Sequence, residues 1–168
     1  MTFLTFIVLA VTPAAFAQFE LGVDGSYMVF NSDLIDDEGE RISFHAAYYF
    51  SEWFALEGQI SHAEADSLDT EHQTYSLNGV VSFRHDEVVQ PYFMGGFGWV
   101  EAERDLIGGG MIEDDGQATV GAIGTKIFFG DQETFGLRLE SGFVWDDLFG
   151  DSKTHISWSA GFIWRLGS

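Results

Sequence analysis

The sequence predicts an all-β chain folded as an eight-stranded antiparallel up-and-down transmembrane β-barrel. Three observations carry this expectation. Apolar and small or polar residues alternate with a period of two through nearly all of the chain after residue 17. The connections between the alternating segments switch between long and short, as when tight turns gather at one rim of a barrel and loops at the other. Along most segments the apolar face is aromatic towards both ends and small or aliphatic between them, the order a bilayer asks for.

The composition bounds the rest. At 168 residues one domain is expected, and 27 acidic against 7 basic residues give a net charge of −20, which excludes nucleic acid as a partner because its phosphates would be repelled. There is no cysteine, hence no disulfide framework, thiolate metal site or cysteine nucleophile. Residues 1–17, "MTFLTFIVLAVTPAAFA", are apolar and close on Ala15-Phe16-Ala17, a small-x-small pattern, so a signal peptide is expected there and a barrel domain over 18–168. No Lys or Arg precedes the apolar run, which departs from the usual signal, and the run is too short for a membrane helix of about 20 residues.

The first strand is expected over about 19–30, with Phe19, Leu21, Val23, Gly25, Tyr27 and Val29 on one face and Glu20, Gly22, Asp24, Ser26 and Met28 on the other. The second, about 41–50, sets Ile42, Phe44, Ala46 and Tyr48 against Arg41, Ser43, His45 and Ala47. The third, about 54–61, sets Phe54, Leu56, Gly58 and Ile60 against Glu57, Gln59 and Ser61, and the fourth, about 74–84, sets Tyr75, Leu77, Gly79 and Val81 against Ser76, Asn78, Ser82 and Arg84. The fifth, "PYFMGGFGWV", is apolar on both parities; Tyr92, Met94, Gly96, Gly98 and Val100 are assigned to the apolar side because Glu101 and Glu103 then continue the other face. The sixth, about 118–129, sets Gly121, Ile123 and Ile127 against Ala122, Gly124 and Lys126, and the seventh, about 135–145, sets Leu137, Leu139 and Phe143 against Arg138 and Glu140. The eighth, from Ile156, places Trp158, Phe162, Trp164 and Leu166 opposite Ser157, Ser159, Gly161 and Arg165. Short connections are expected at 51–52, 85–88 and 130–134, and long ones at 31–40, 62–73, 101–117 and 146–155.

Two barrels fit this pattern, a soluble ligand-binding one with the apolar face inside and a membrane one with it outside. Volume favours the second. The interior of an eight-stranded barrel only just holds its side chains, and bulky residues in the number this apolar face carries would overfill it. Charge favours it too, because no charged residue falls on the apolar face within a strand core, while Arg41, Arg84, Lys126, Arg138 and Arg165 share the other face with Glu20, Asp24, Glu57 and Glu140. Facing inward these groups must pair, since an isolated charge in a narrow lumen is costly. Glu57, Arg84, Lys126, Arg138 and Glu140 are expected to form a network that plugs the lumen, read either as a structural core of salt bridges or as a gate.

At this point the residues resemble a known family, the small eight-stranded outer-membrane proteins of Gram-negative bacteria often labelled "outer membrane protein beta-barrel domain", with OmpA transmembrane-domain and OmpX-like members. The resemblance covers 18–168 and is carried by "QPYFMGGFGW", "VGAIGTKIFF" and "FGLRLESGF", whose Arg138-x-Glu140 looks like the family's luminal pair. The resemblance implies integral residence in the bacterial outer membrane, contact with lipid and lipopolysaccharide, and insertion by the barrel-assembly machinery. That machinery reads a final strand of the type polar-x-Gly-x-x-aromatic-x-apolar, which Ser159, Gly161, Trp164 and Leu166 match in order, with Gly167 and Ser168 added beyond the family's usual terminal aromatic. A peptidoglycan-binding domain is not among the matching parts, so wall tethering is not implied.

Some barrels of this size are enzymes. His155-x-Ser157 has the spacing of the His-x-Ser pair of lipid A 3-O-deacylase, but that enzyme's acidic partner follows the pair and here none does. The pair also falls on the luminal face, away from lipid. The other histidines (His45, His62, His72, His85) are scattered without metal-ligand spacing. No enzyme activity, catalytic residue, metal or cofactor is therefore expected.

The long connections are acidic: Asp33, Asp36, Asp37, Glu38 and Glu40; Glu64, Asp66, Asp69 and Glu71; Glu101, Glu103, Asp105, Glu113, Asp114 and Asp115; Asp146, Asp147 and Asp151. Such a crown could recruit divalent cations and bridge to lipopolysaccharide phosphates, bind cationic ligands, or simply keep the loops solvated and apart. The function expected is that of a structural or surface-interaction protein, with a narrow porin-like diffusion channel for small solutes or ions as the alternative.

Overall fold

The computed structural model describes residues 18–32, 35–65, 70–83, 87–105, 111–130, 134–148 and 151–166. The expected signal segment, 1–17, lies outside them. The eight strands are β1 (Gln18–Ser32), β2 (Ile35–Tyr49), β3 (Phe54–Ala65), β4 (Thr70–Ser82), β5 (Val89–Asp105), β6 (Met111–Phe129), β7 (Phe135–Leu148) and β8 (Asp151–Leu166). Each pairs antiparallel with its neighbours in sequence, and β8 returns to β1 with Phe19 opposite Leu166 and Tyr27 opposite Trp158, closing the barrel. Closure leaves no sheet edge, the condition for strands to cross a bilayer.

The bulky apolar residues face outward. Phe44, Ile60, Leu77, Ile123 and Leu139 are exposed at mid-strand. Towards the short turns an aromatic band surrounds the barrel, in which Trp53 and Phe83, Phe83 and Phe93, and Phe135 and Phe162 lie with ring centroids 6.4, 5.4 and 5.7 Å apart. Tyr27, Tyr75, Trp99, Trp145 and Trp158 form the opposite band. The turn at 50–53 is held by Phe50 N–H donating to the Phe54 carbonyl at 3.0 Å and by Phe54 N–H donating to Ser51 Oγ at 3.2 Å. Gly130, at φ 80°, ends β6 in a left-handed conformation that favours glycine.

The structure corrects the sequence reading in two places. In β5 the facing is reversed: Tyr92, Met94 and Val100 are buried in the lumen, while Phe93, Phe97 and Trp99 face lipid, Phe97 with 77 % of its surface exposed. With both parities apolar, neighbouring strands decide the facing, because Phe97 pairs opposite the outward Leu77 and Phe93 opposite the outward Val81. Second, the strands outrun the apolar pattern at the far rim. β2 begins at Ile35, β4 at Thr70, β6 at Met111 and β8 at Asp151, so most of the acidic residues assigned to loops belong to paired strand ends. Asp33, Asp66 and Asp69 lie outside the described residues. The physical reason is that the backbone ladder continues beyond the bilayer, where outward side chains meet water while the inner face stays buried, as at Gly39, Ala63 and Ala102.

Candidate functional site

Alternation along three strands aims one cluster of charged and polar residues into the barrel. β7 presents Arg138 and Glu140 on its inner face, β3 presents Glu57 and β5 presents Tyr92. Arg138 is fully buried and its guanidinium forks onto Glu57, Nη1 donating to Oε2 at 2.8 Å and Nη2 to Oε1 at 3.2 Å. Nη2 also donates to Glu140 Oε2 at 2.6 Å, while Nε donates to the Tyr92 hydroxyl at 2.7 Å. That hydroxyl in turn donates to Glu140 Oε2 at 2.5 Å. Bidentate geometry and charge assistance make these the strong class of hydrogen bond, and they run between strands on different sides of the lumen. Gly124 makes the room: a Cβ there would meet the Tyr92 ring at 2.6 Å.

A second cluster lies nearer the short turns. Lys126 donates to Glu20 Oε1 and, at 2.7 Å, to the Tyr49 hydroxyl. Arg165 reaches Glu20 Oε2 at 3.6 Å, donates to Gln90 Oε1 at 2.8 Å and lies 3.7 Å over the Phe128 ring. Of the residues named from the sequence, then, Glu57, Arg138 and Glu140 are brought into one cluster and Lys126 into the adjacent one, with the Tyr92 ring 5.3 Å from its ammonium. Arg84 lies outside the described residues. Sequence reasoning missed Tyr92, which it had turned to lipid, and Tyr49. It recognised Glu20 as inward but not as the partner of Lys126, since period-two alternation gives a side chain's face and not what it meets across the lumen.

Above these clusters Asp24 Oδ2 lies 3.0 Å from His45 Nδ1, and Arg41 donates to Ser26 Oγ at 2.9 Å and to Ser157 Oγ at 3.2 Å. His155 and Ser157 are both inward and buried. The acidic partner that the sequence seemed to lack is upstream, on β7: Asp146 Oδ2 is 2.9 Å from His155 Nε2. The His72 ring lies 6.0 Å from that of His155. Among the described residues no group of three or more His, Asp or Glu side chains is placed to hold a metal ion. On β8, Ser159 and Gly161 face inward and Trp164 and Leu166 outward. A Cβ on Gly161 would meet the Val23 carbonyl and Asp24 Oδ1 at 2.2 Å.

A closed barrel with lipid-facing aromatics in two bands and ion pairs inside defines an integral outer-membrane β-barrel protein. The chain belongs to the family described as "Outer membrane protein beta-barrel domain", which matches residues 1–165. Among solved structures it is similar to Neisserial surface protein A (NspA), at 15% identity over 88% of this chain and 97% of that one, with a TM-score of 0.75. It is also similar to Ail, the attachment invasion locus protein of Yersinia pestis, at 16% identity over 90% and 99% with a TM-score of 0.61. A third likeness is to the outer membrane enzyme PagL, at 12% identity over 83% and 97% with a TM-score of 0.50. At these identities the likeness is one of fold. No curated protein sequence matches the chain.

Proposed function

We propose that this outer-membrane barrel acts as a structural and surface-interaction protein whose lumen is closed by its own ion pairs and whose acidic far rim meets cationic ligands. The observation that carries the reading is the fully buried Arg138 held at once by Glu57, Glu140 and Tyr92. A solute passing through would have to break that arrangement, and separating a buried pair leaves an uncompensated charge that costs about 3–5 kcal/mol. The role is not enzymatic in this reading. PagL has a similar fold, but here His155 and Ser157 are buried on the luminal side, one against Asp146 and the other bonded by Arg41, away from acyl chains.

Residues 1–17 serve as the export signal, and Ser159, Gly161, Trp164 and Leu166 as the strand read by the barrel-assembly machinery. Lipid and lipopolysaccharide form the surroundings, and the rim recruits divalent cations or cationic ligands. Ail, an attachment invasion locus protein by name, has this fold, which supports a surface role. The test is calorimetric binding of magnesium, calcium and cationic peptides to the refolded barrel and to variants whose far-rim segments are exchanged for neutral ones. Binding should fall at least tenfold on exchange while the heat-dependent gel shift of the folded barrel persists. Unchanged binding would remove the rim from the function.

A further inference from the structure

The strand register lines up carboxylates in a way the sequence does not display. Glu40 is opposite Glu64, Glu64 opposite Glu71, Glu71 opposite Glu103 and Glu103 opposite Glu113, so five glutamates form one unbroken row of direct cross-strand partners on the outer surface of β2 to β6. All five are exposed. Like charges directly opposite each other repel. The lysines and arginines whose side chains the structure describes, Arg41, Lys126, Arg138, Lys153 and Arg165, all sit at inward positions, and on the outer surface the row is met by His62, whose Nε2 lies 3.4 Å from Glu64 Oε1. The row begins at the membrane interface, where Glu40 is paired with Tyr27, and at β5 it stands four residues beyond Trp99.

A groove of about 750 Å³ opens at the lower end of this row. Its floor is Gly25 and Ala160, directly opposite each other on β1 and β8, and nothing lies within 4 Å of where a Gly25 Cβ would be. Tyr27, Trp158 and Ile42 form its apolar walls, and Glu40, Glu64 and His62 form its lip. An apolar hollow beside a row of five carboxylates, of which Glu64 has His62 at 3.4 Å, fits an amphiphile with a bulky apolar end and several cationic groups. Adjacent glutamates of the row are separated by the strand spacing of about 4.8 Å. Lysines or arginines three or four residues apart on a helix stand about 5–6 Å apart, a close match.

We propose that this groove and the glutamate row form a docking site for a cationic amphipathic peptide, its apolar end seated between Tyr27, Ile42 and Trp158 and its basic side chains along Glu40, Glu64, Glu71 and Glu103. The site rests on the surface-interaction reading above and gives it a place on the barrel wall and a partner chemistry. Lipopolysaccharide phosphates alone would be repelled by the same row, which sets the peptide apart from the surrounding lipid.

The test uses the full chain refolded in phosphatidylcholine nanodiscs and a fluorescent lysine–leucine amphipathic helix as probe, with empty nanodiscs as the reference for direct peptide–lipid binding. Fluorescence anisotropy should report binding above that reference. The triple variant Glu64→Gln, Glu71→Gln, Glu103→Gln should weaken it at least tenfold, and so should Ala160→Phe, which fills the hollow without changing charge. Both changes lie on the exposed outer surface, and the heat-dependent gel shift verifies folding. Binding no better than empty discs would overturn the proposal, and so would weakening by the charge variant with none from Ala160→Phe, which marks diffuse attraction without a groove. Calorimetric heat from magnesium alone, with no peptide binding, would overturn it in favour of a divalent bridge. None of these results bears on the closed lumen, whose failure would show separately as ion conductance.

Discussion

Arg138 concentrates the chemistry of the lumen in one side chain. Because it answers two carboxylates and a tyrosine hydroxyl, Arg138→Met should leave Glu57 and Glu140 buried without their cation and destabilise the barrel by about 3–5 kcal/mol in urea unfolding from lipid vesicles. Tyr92→Phe removes only the hydroxyl between Arg138 and Glu140 and should cost about 1–3 kcal/mol in the same titration. Equal effects of the two variants would mean that the hydroxyl, not the charge, organises the cluster. At this scale the sequence was legible as far as direction. Arg138, Glu140, Glu57 and Lys126 could be placed inward from alternation alone, but Lys126 chooses Glu20, on a strand far away in sequence, and only closure of β8 onto β1 brings that side into reach. Asp146 escaped notice as the partner of His155 for the same reason: the two lie diagonally on adjacent strands, two residues out of direct register.

The strands were legible wherever one face was distinctly apolar, which is why β1 to β4 and β6 to β8 have the expected faces. β5 was not, because Tyr92, Met94 and Val100 are as apolar as Phe93, Phe97 and Trp99, and hydropathy cannot rank two greasy faces. The corrected facing makes its own prediction. Phe97→Arg should place a charge in the lipid near mid-bilayer and cost about 2–4 kcal/mol, read as loss of the heat-resistant folded band and a lower urea midpoint. A neutral outcome would return Phe97 to the lumen. Strand length was underread where outward residues become charged, at Glu64, Glu71, Glu101 and Glu103, because the polarity of the outer face changes as the strand leaves the bilayer while the ladder does not. On β8, Gly161→Val would press into the Val23 carbonyl and the Asp24 carboxylate, so it should reduce the yield of folded barrel both in vitro and in cells. A defect only in cells would assign Gly161 to recognition by the assembly machinery instead of to packing.

Taken as a whole, the molecule separates its charges by face. Lys126, Arg138 and Arg165 lie inside, paired with Glu20, Glu57 and Glu140, and the outer wall is apolar across the bilayer and rich in glutamate above it. This division follows from the two solvents that a small barrel meets: lipid forbids charge on the wall, and the narrow lumen accepts it only in pairs. The measurement that bears most directly on the proposal that the lumen is closed by its own ion pairs is single-channel recording of the refolded chain in planar bilayers. The account predicts a silent membrane with the native chain, apart from rare small flickers. Stable, repeated current steps of porin size would contradict it and make the barrel a diffusion channel.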